Sequence, residues 1–253
     1  MRRSTARDRK DRTDEEVVGK RGSRKKLGLL AGAVVAVIAI AVGVVWFSPL
    51  FVVKQVNVEG AVHADVEAVK QKSGIELGQK LVSLDTTGAA RSVAGEPWVS
   101  KVTVSRSWPS SATVQIEEYV PALFMRATDG EHLFSDTGRE FVTAPPPPGT
   151  VELIEAPRVD QPEDGKIDPE PAVVEAALKV LKALPESIRG RVEAVSAPSP
   201  AELRILLHDG FQVYFGSADN VEEKAKAAEI VLERGEKNWD VSNPQMPVAK
   251  GEN

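Results

Sequence analysis

Hydrophobic and polar positions divide the chain into three regimes: a polar start, one unbroken apolar run, and a long remainder in which apolar residues recur with short periods. The run covers residues 27–51, LGLLAGAVVAVIAIAVGVVWFSPLF, holds no ionisable side chain, and is followed by Lys54 as the first charge. As a helix, residues 27–47 rise about 32 Å at ~1.5 Å per residue, which matches a hydrocarbon core of ~30 Å and predicts a membrane helix within 27–50. Trp46 and Phe47 fall where interfacial aromatic residues collect, and Pro49 ends the helix. Ala39, Ile40 and Ala41 offer a small-x-small cleavage pattern, but the apolar run continues past it, which favours a retained anchor over a removed leader.

After the run, Val56 and Val58 alternate with Gln55, Asn57 and Glu59 up to Gly60, the pattern of a half-buried strand closed by a turn. Val62, Val66 and Val69 recur at helical spacing and predict a helix over 62–72, stopped by Ser73 and Gly74; a second helix is predicted over 86–93. Two strands follow. Val102 and Val104 alternate with polar neighbours, and beyond the turn Trp108-Pro109-Ser110-Ser111 so do Ala112, Val114 and Ile116. The order β-α-α-β-β makes a small α+β unit.

From Pro121 short strands are predicted over 122–126, 132–135 and 139–143, joined as hairpins by Asp129-Gly130 and Asp136-Thr137-Gly138. Pro145, Pro146, Pro147 and Pro148, then Gly149, force an extended spacer. Asp168 and Pro169 are expected to cap and start a helix striped by Val174, Ala177, Leu178 and Leu181 and stopped at Leu184-Pro185. Strands are predicted over 192–196, at Leu203, Ile205 and Leu207, and at Phe211, Val213 and Phe215; the middle one, with Leu206 interleaved, reads as covered on both sides. Asp219, with Glu222 three residues on, forms a capping box for a helix whose buried face is Val221, Ala225, Ala228 and Leu232. A short strand over 238–242 ends the fold, and Pro244 after it marks it as a sheet edge with unpaired backbone groups.

Charge adds a direction to this layout. Residues 1–26 carry a net +6 and the remaining chain a net −11, although the whole is only −5. Arg21, Arg24, Lys25 and Lys26 stand immediately before the apolar run and are the membrane-orienting residues, holding the N-terminus in the cytoplasm and sending the C-terminal 200 or so residues outside. The basic tail mixes its cations with Asp8, Asp11, Asp14, Glu15 and Glu16 and has no aromatic residue to stack on bases, so a disordered orienting tail is expected and nucleic acid is not. Zero cysteines exclude disulfides, thiolate metal sites and cysteine nucleophiles. The three histidines, His63, His132 and His208, belong to no HExxH, and GxSxG is absent, so no catalytic residues, metal, cofactor or small-molecule substrate are assigned. The stretch Asp160-Gln161-Pro162-Glu163-Asp164-Gly165 opens like a calcium loop, but Pro171 stands where the bidentate carboxylate belongs.

The chain resembles the FtsQ/DivIB family of bacterial cell-division proteins, of actinobacterial type. The residues that carry the resemblance are Val56-Asn57-Val58-Glu59-Gly60, Pro97-Trp98-Val99, Trp108-Pro109, Leu133-Phe134-Ser135-Asp136, Phe215-Gly216-Ser217, and Asp240-Val241-Ser242 with Pro244 and Pro247. The resemblance implies an α+β fold: a single transmembrane helix, a POTRA domain of order β-α-α-β-β over 51–119, and a mixed, sheet-rich β domain with helices on one face over 120–249. Residues 250–253 are left as a tail. It further implies a non-enzymatic divisome scaffold at the septum of the cell membrane that binds FtsB- and FtsL-type partners. The family's partner strand maps onto Trp239, Asp240, Val241, Ser242 and Asn243, with Trp239 either anchoring the contact or packing inside. One departure is visible: the family's Glu-Arg-x-Pro between its two outer domains reads Glu118-Tyr119-Val120-Pro121 here, which puts in doubt any salt bridge made there by that arginine. A POTRA-bearing secretion or membrane-assembly component is the alternative; it predicts repeated POTRA units and a membrane barrel, and neither pattern is in the sequence.

Overall fold

The computed structural model describes residues 31–40, 42–44, 49–157 and 169–251. Residues 31–40 and 42–44 are helical, and a 3-10 turn at Pro49–Phe51 leads into the folded body. Among the described residues no helix is long and apolar enough to cross a membrane. The predicted span lies only partly among them: residues 27–30, 41 and 45–48, with Trp46 and Phe47, fall outside, as do Arg21, Arg24, Lys25 and Lys26.

The first layer pair is built from β1 (Gln55–Glu59), α1 (Val66–Lys72), α2 (Thr86–Val93), β2 (Val99–Ser107) and β3 (Ser111–Glu118). The sheet order is β1-β3-β2, with β1 parallel and β2 antiparallel to β3. Val69, Ala89, Val93, Val99, Val104, Val114 and Ile116 form the core where the helices meet the sheet. Gly60 closes β1 at φ +84; a Cβ there would meet the Ile116 carbonyl oxygen at 2.1 Å, so the turn requires glycine.

The first helix starts four residues later than the valine spacing predicts. Asp65 caps it by accepting from the N–H groups of Glu67 and Ala68 at 2.8 and 3.4 Å. The preceding N–H groups of Val62, His63 and Ala64 instead donate to the Glu118 carboxylate at 2.7 to 2.8 Å. A carboxylate from the end of β3 thereby claims donors that a longer helix would leave open, and Val62 remains 80% exposed.

The second sheet has nine strands in the order β12-β11-β10-β9-β8-β7-β4-β5-β6. These are β4 (Pro121–Arg126), β5 (Glu131–Ser135), β6 (Glu140–Thr143), β7 (Val151–Ile154), β8 (Val192–Ser196), β9 (Leu203–Leu207), β10 (Gln212–Gly216), β11 (Asn238–Asp240) and β12 (Val248–Ala249). Pairing is parallel at β4/β7, β7/β8 and β10/β11 and antiparallel elsewhere, so the sheet is mixed. Helices α3 (Pro171–Ala183), α4 (Glu186–Arg189) and α5 (Val221–Leu232) bury Val173, Ala177, Val180, Ala228 and Val231 against Leu203, Ile205, Leu207, Val213 and Phe215 in one core.

Several expectations change here. Strand β9 is covered on one face only: Leu203, Ile205 and Leu207 are buried, Arg204 is exposed and Leu206 is half-buried, because the helices occupy a single side. Runs of three or more successive buried residues occur instead in β4, β5 and β8. The predicted capping box of α5 does not form: Asn220, in the left-handed region at φ 48, precedes the helix, while Asp219 turns to accept from the Ser217 hydroxyl at 2.9 Å. Helix α3 begins with Pro171 at its first turn, and Asp168, the expected cap, lies outside the described residues together with the stretch 160–165. Strand β7, buried at Val151 and Leu153, follows the proline spacer and is not among the expected strands; β12 and α4 are too short to show a period.

An aromatic relay joins the two sheets. His63 stacks on Trp98 at 4.4 Å, Trp98 meets Phe141 of β6 edge-on at 5.2 Å, and Phe141 stacks on Tyr119 at 5.1 Å. Arg139 lies over the Tyr119 ring at 5.4 Å, and the Tyr119 N–H donates to the Trp98 carbonyl. The junction is made by the ring contacts of Trp98 and Tyr119 with Phe141, while Glu118 fastens residues 62–64 within the first domain.

Candidate functional site

The C-terminal edge is assembled from α5, β10, β11 and β12. Alanines at 225, 227 and 228 let α5 approach the sheet closely, and Lys224 on the same helix is buried, its Nζ donating to the Ser217 carbonyl at 2.9 Å. Burial pushes the Lys224 amine below its ordinary range, although the Asp219 and Asp240 carboxylates pull the other way. At the end of β10, Gly216 adopts φ +66, and a Cβ there would come within 3.2 Å of the Ser242 Cβ; glycine lets the chain after β11 cross.

The five residues assigned to partner binding have different environments. Trp239 is 5% exposed, sits in the core beside Val213, and donates its indole N–H to the Glu236 carbonyl at 2.9 Å. Val241 is fully buried, and its N–H donates to the Tyr214 carbonyl at 2.9 Å. Asp240 is half-buried and accepts from the Ser242 N–H and hydroxyl at 2.9 and 2.6 Å, while Lys250 reaches its other oxygen at 2.8 Å. Burial alone raises the Asp240 carboxyl, but Lys250 and the two Ser242 donors outweigh it and hold it below the usual carboxylate range. Ser242 and Asn243 are exposed, and the Asn243 side chain accepts from the Gln245 N–H.

The expected edge is not β11. Residues beyond Pro247 return as β12, pairing Trp239 with Ala249 and Asp240 with Val248, and the Lys250 N–H donates to the Asn238 carbonyl at 2.8 Å. Lys250, assigned from sequence to a tail, also places its ammonium 4.6 Å from the Tyr214 ring. A two-residue strand after a proline has no readable alternation; the signal available was the cation Lys250 following an acid-bearing strand. Arg204, Gln212, Tyr214, Asn238 and Lys250 line a polar groove on the face that the helices leave open. Sequence reasoning did not find this groove, because its residues come from three strands and from Lys250 just past β12.

Since Lys250 turns its N–H inward, alternation along β12 turns the N–H and C=O of Ala249 outward. Both residues of β12 are exposed, and Val248 is 55% exposed. The outer edge of the nine-stranded sheet is therefore short, apolar in its side chains and open in its backbone.

A β-α-α-β-β unit leading into a nine-stranded mixed sheet with one helical face defines a POTRA-bearing protein with a second, C-terminal sheet domain. The family profile described as "POTRA domain, FtsQ-type" matches residues 51–119, and "Cell division protein FtsQ/DivIB, C-terminal" matches 124–242. Cell division protein FtsQ of Corynebacterium glutamicum is 34% identical over 224 residues, covering 88% of this chain and 98% of that protein. FtsQ of Mycolicibacterium smegmatis is 33% identical over 223 residues, 88% of this chain and 64% of its own length, and FtsQ of Mycobacterium leprae is 34% identical over 205 residues, 81% and 58%. The extracytoplasmic domain of DivIB from Geobacillus stearothermophilus, a solved structure, aligns over 47% of this chain and 98% of its own at TM-score 0.31 and 16% identity, too slight a likeness to bear on the fold. The chain belongs to the FtsQ/DivIB family of bacterial cell-division proteins.

Proposed function

We propose that this division protein is a non-catalytic, single-pass scaffold of the septal cell membrane, with a cytoplasmic tail (1–26), a membrane helix (27–50), and POTRA (51–119) and β (120–249) domains outside. In this reading it links early and late septum-assembly components through FtsB- and FtsL-type partners. The membrane assignment is supported by residues 31–40 and 42–44, all Ala, Gly, Val or Ile, among which Val34, Val35, Val37, Ile38, Ile40, Val42 and Val44 are exposed by 55 to 66%. An apolar helix so exposed needs lipid or protein around it.

The observation that carries the partner assignment is the open backbone of β12. An extended partner segment adds beside Ala249, with Val248 and Met246, itself 71% exposed, offering apolar contacts. Trp239, Asp240 and Val241 support that edge from within, while Ser242 and Asn243 border it. Proline at 241 removes an internal bond to Tyr214, so the discriminating substitution is Ala249→Pro, which removes an outward donor and leaves the Lys250-to-Asn238 bond in place. Full-length chain carrying A249P is expected to lose capture of an FtsB-type partner in a pulldown from detergent-solubilised membranes while retaining its thermal unfolding profile. Capture equal to that of the unsubstituted chain would overturn strand addition at β12.

A further inference from the structure

We propose that the membrane-facing end of the first domain, formed by Leu50, Phe51 and the Trp108–Pro109 turn, is a lipid-binding foot that rests in the headgroup layer of the bilayer. The inference depends on residues 27–50 spanning the membrane and adds a second, peripheral contact to it.

Three strand ends converge at this place. Val53 donates to the Gln79 carbonyl at 2.9 Å and accepts from Gly78 at 2.7 Å, Val52 bridges to Lys80, and Lys54 donates to the Ser110 carbonyl at 2.8 Å. This brackets the entry of the chain between residues 78–80 and the β2–β3 turn. Phe51 meets Trp108 edge-on with ring centroids 5.5 Å apart. Trp108 is 52% exposed and Leu50 60%; among the described residues Trp108 is the one exposed Trp, Tyr or Phe. A large ring held half out of the fold at the tip of a hairpin contributes little to the core behind it.

The occupant follows from where the apolar run ends. Residues 27–51 are uncharged up to Phe51, which is itself part of the patch. A 3-10 turn climbs only about 2 Å per residue, and the headgroup layer adds roughly 5–7 Å on each side of the hydrocarbon. Leu50 and Phe51, in the turn Pro49–Phe51, therefore stay within that layer and carry Trp108 with them. Tryptophan, with an apolar ring and one N–H donor, is the side chain most suited to this depth.

Charge agrees with a lipid surface. The converging segments 50–54, 77–80 and 105–111 hold Lys54, Lys80 and Arg106 and no carboxylate, in a part of the chain whose net charge is −11. Lys54 and Lys80 are both exposed, so the apolar foot has a cationic surround suited to anionic phospholipid headgroups.

The test uses the full chain carrying Trp46→Phe, incorporated into nanodiscs of mixed zwitterionic and anionic phospholipid, with and without Trp108→Phe. Lipids brominated near the headgroup are expected to quench a tryptophan component more strongly than lipids brominated deep in the chains, with that component lost on Trp108→Phe. Circular dichroism of the two variants is expected to coincide. Identical quenching with and without Trp108, in discs that retain the chain, overturns the foot and leaves the membrane span standing. Failure of the chain to co-elute with the discs overturns the span and the foot with it.

Discussion

His132 is a buried imidazole held between two carboxylates. It is 2% exposed, yet its Nδ1 lies 2.8 Å from Glu140 and its Nε2 2.9 Å from Asp129. Burial lowers the affinity of the imidazole for a proton, but the two carboxylates outweigh it, and His132 titrates above its ordinary 6.5. A raised folded-state value means that the stabilisation is fully present below about pH 6.5 and is lost as pH rises through the folded value. The melting temperature is thus expected to fall, relative to a His132→Gln variant, as pH rises above about 6.5, measured by calorimetry at matched ionic strength. Glu118 has the opposite sign. Burial raises its carboxyl, but the N–H groups of Ala64 and Val62, the His63 ring and the His63 N–H together hold it below its ordinary 4.5. Its contribution is present above that value and is lost as pH falls through the lowered one. Replacing Glu118 by Ala leaves three backbone donors without their acceptor and is expected to cost about 1–3 kcal/mol in denaturant unfolding.

At the scale of elements, β11 and β12 divide the labour at the C-terminal edge. Trp239 fastens β11 from the inside, so Trp239→Ala is expected to destabilise the fold by about 3–5 kcal/mol in denaturant unfolding, whether or not a partner is present. Strand β12 rests on a ladder two residues long and on Lys250 with Asp240. Lys250→Ala is therefore expected to accelerate hydrogen exchange at the amide that bonds Asn238 without changing the exchange of β9. The relay through Phe141 acts between elements of different sheets. Each aromatic pair contributes about 0.5–1.5 kcal/mol, and Phe141 takes part in two, so Phe141→Ala is expected to broaden the interdomain distance distribution read by paired spin labels. Global unfolding should change less, because Phe141 is only half-buried.

For the molecule as a whole, the two sheets differ in what their edges offer. The first has β1 and β2 as edges close to the chain's entry; the second ends at β6, which is drawn into the aromatic relay, and at β12, which is open. The open edge thus stands at the opposite end of the nine-strand order from the junction strand. A reporter fused after Asn253 is expected to be extracytoplasmic, and reversing the cations at 21, 24, 25 and 26 to acids is expected to invert or scramble it. Fluorescence of a periplasm- or exterior-competent reporter reads both outcomes.

Much of this was legible without coordinates because it rests on local periodicity. Ala112 to Ile116 and Leu203 to Leu207 alternate because one face of each strand is buried, Val56 and Val58 because they pack half-buried against the first core, and Val174 to Leu181 repeat because one stripe of a helix is buried. What local periodicity does not encode is which distant group satisfies a backbone donor or covers an edge. The start of α1 was decided by Glu118, more than fifty residues away; the burial of Trp239 by its register with Val213; and the closure of β11 by two residues returning after Pro247. Pattern along the chain determined the elements and the charge asymmetry. Only the packed structure decided the outermost strand, because hydrogen-bond partners in a sheet are chosen across space.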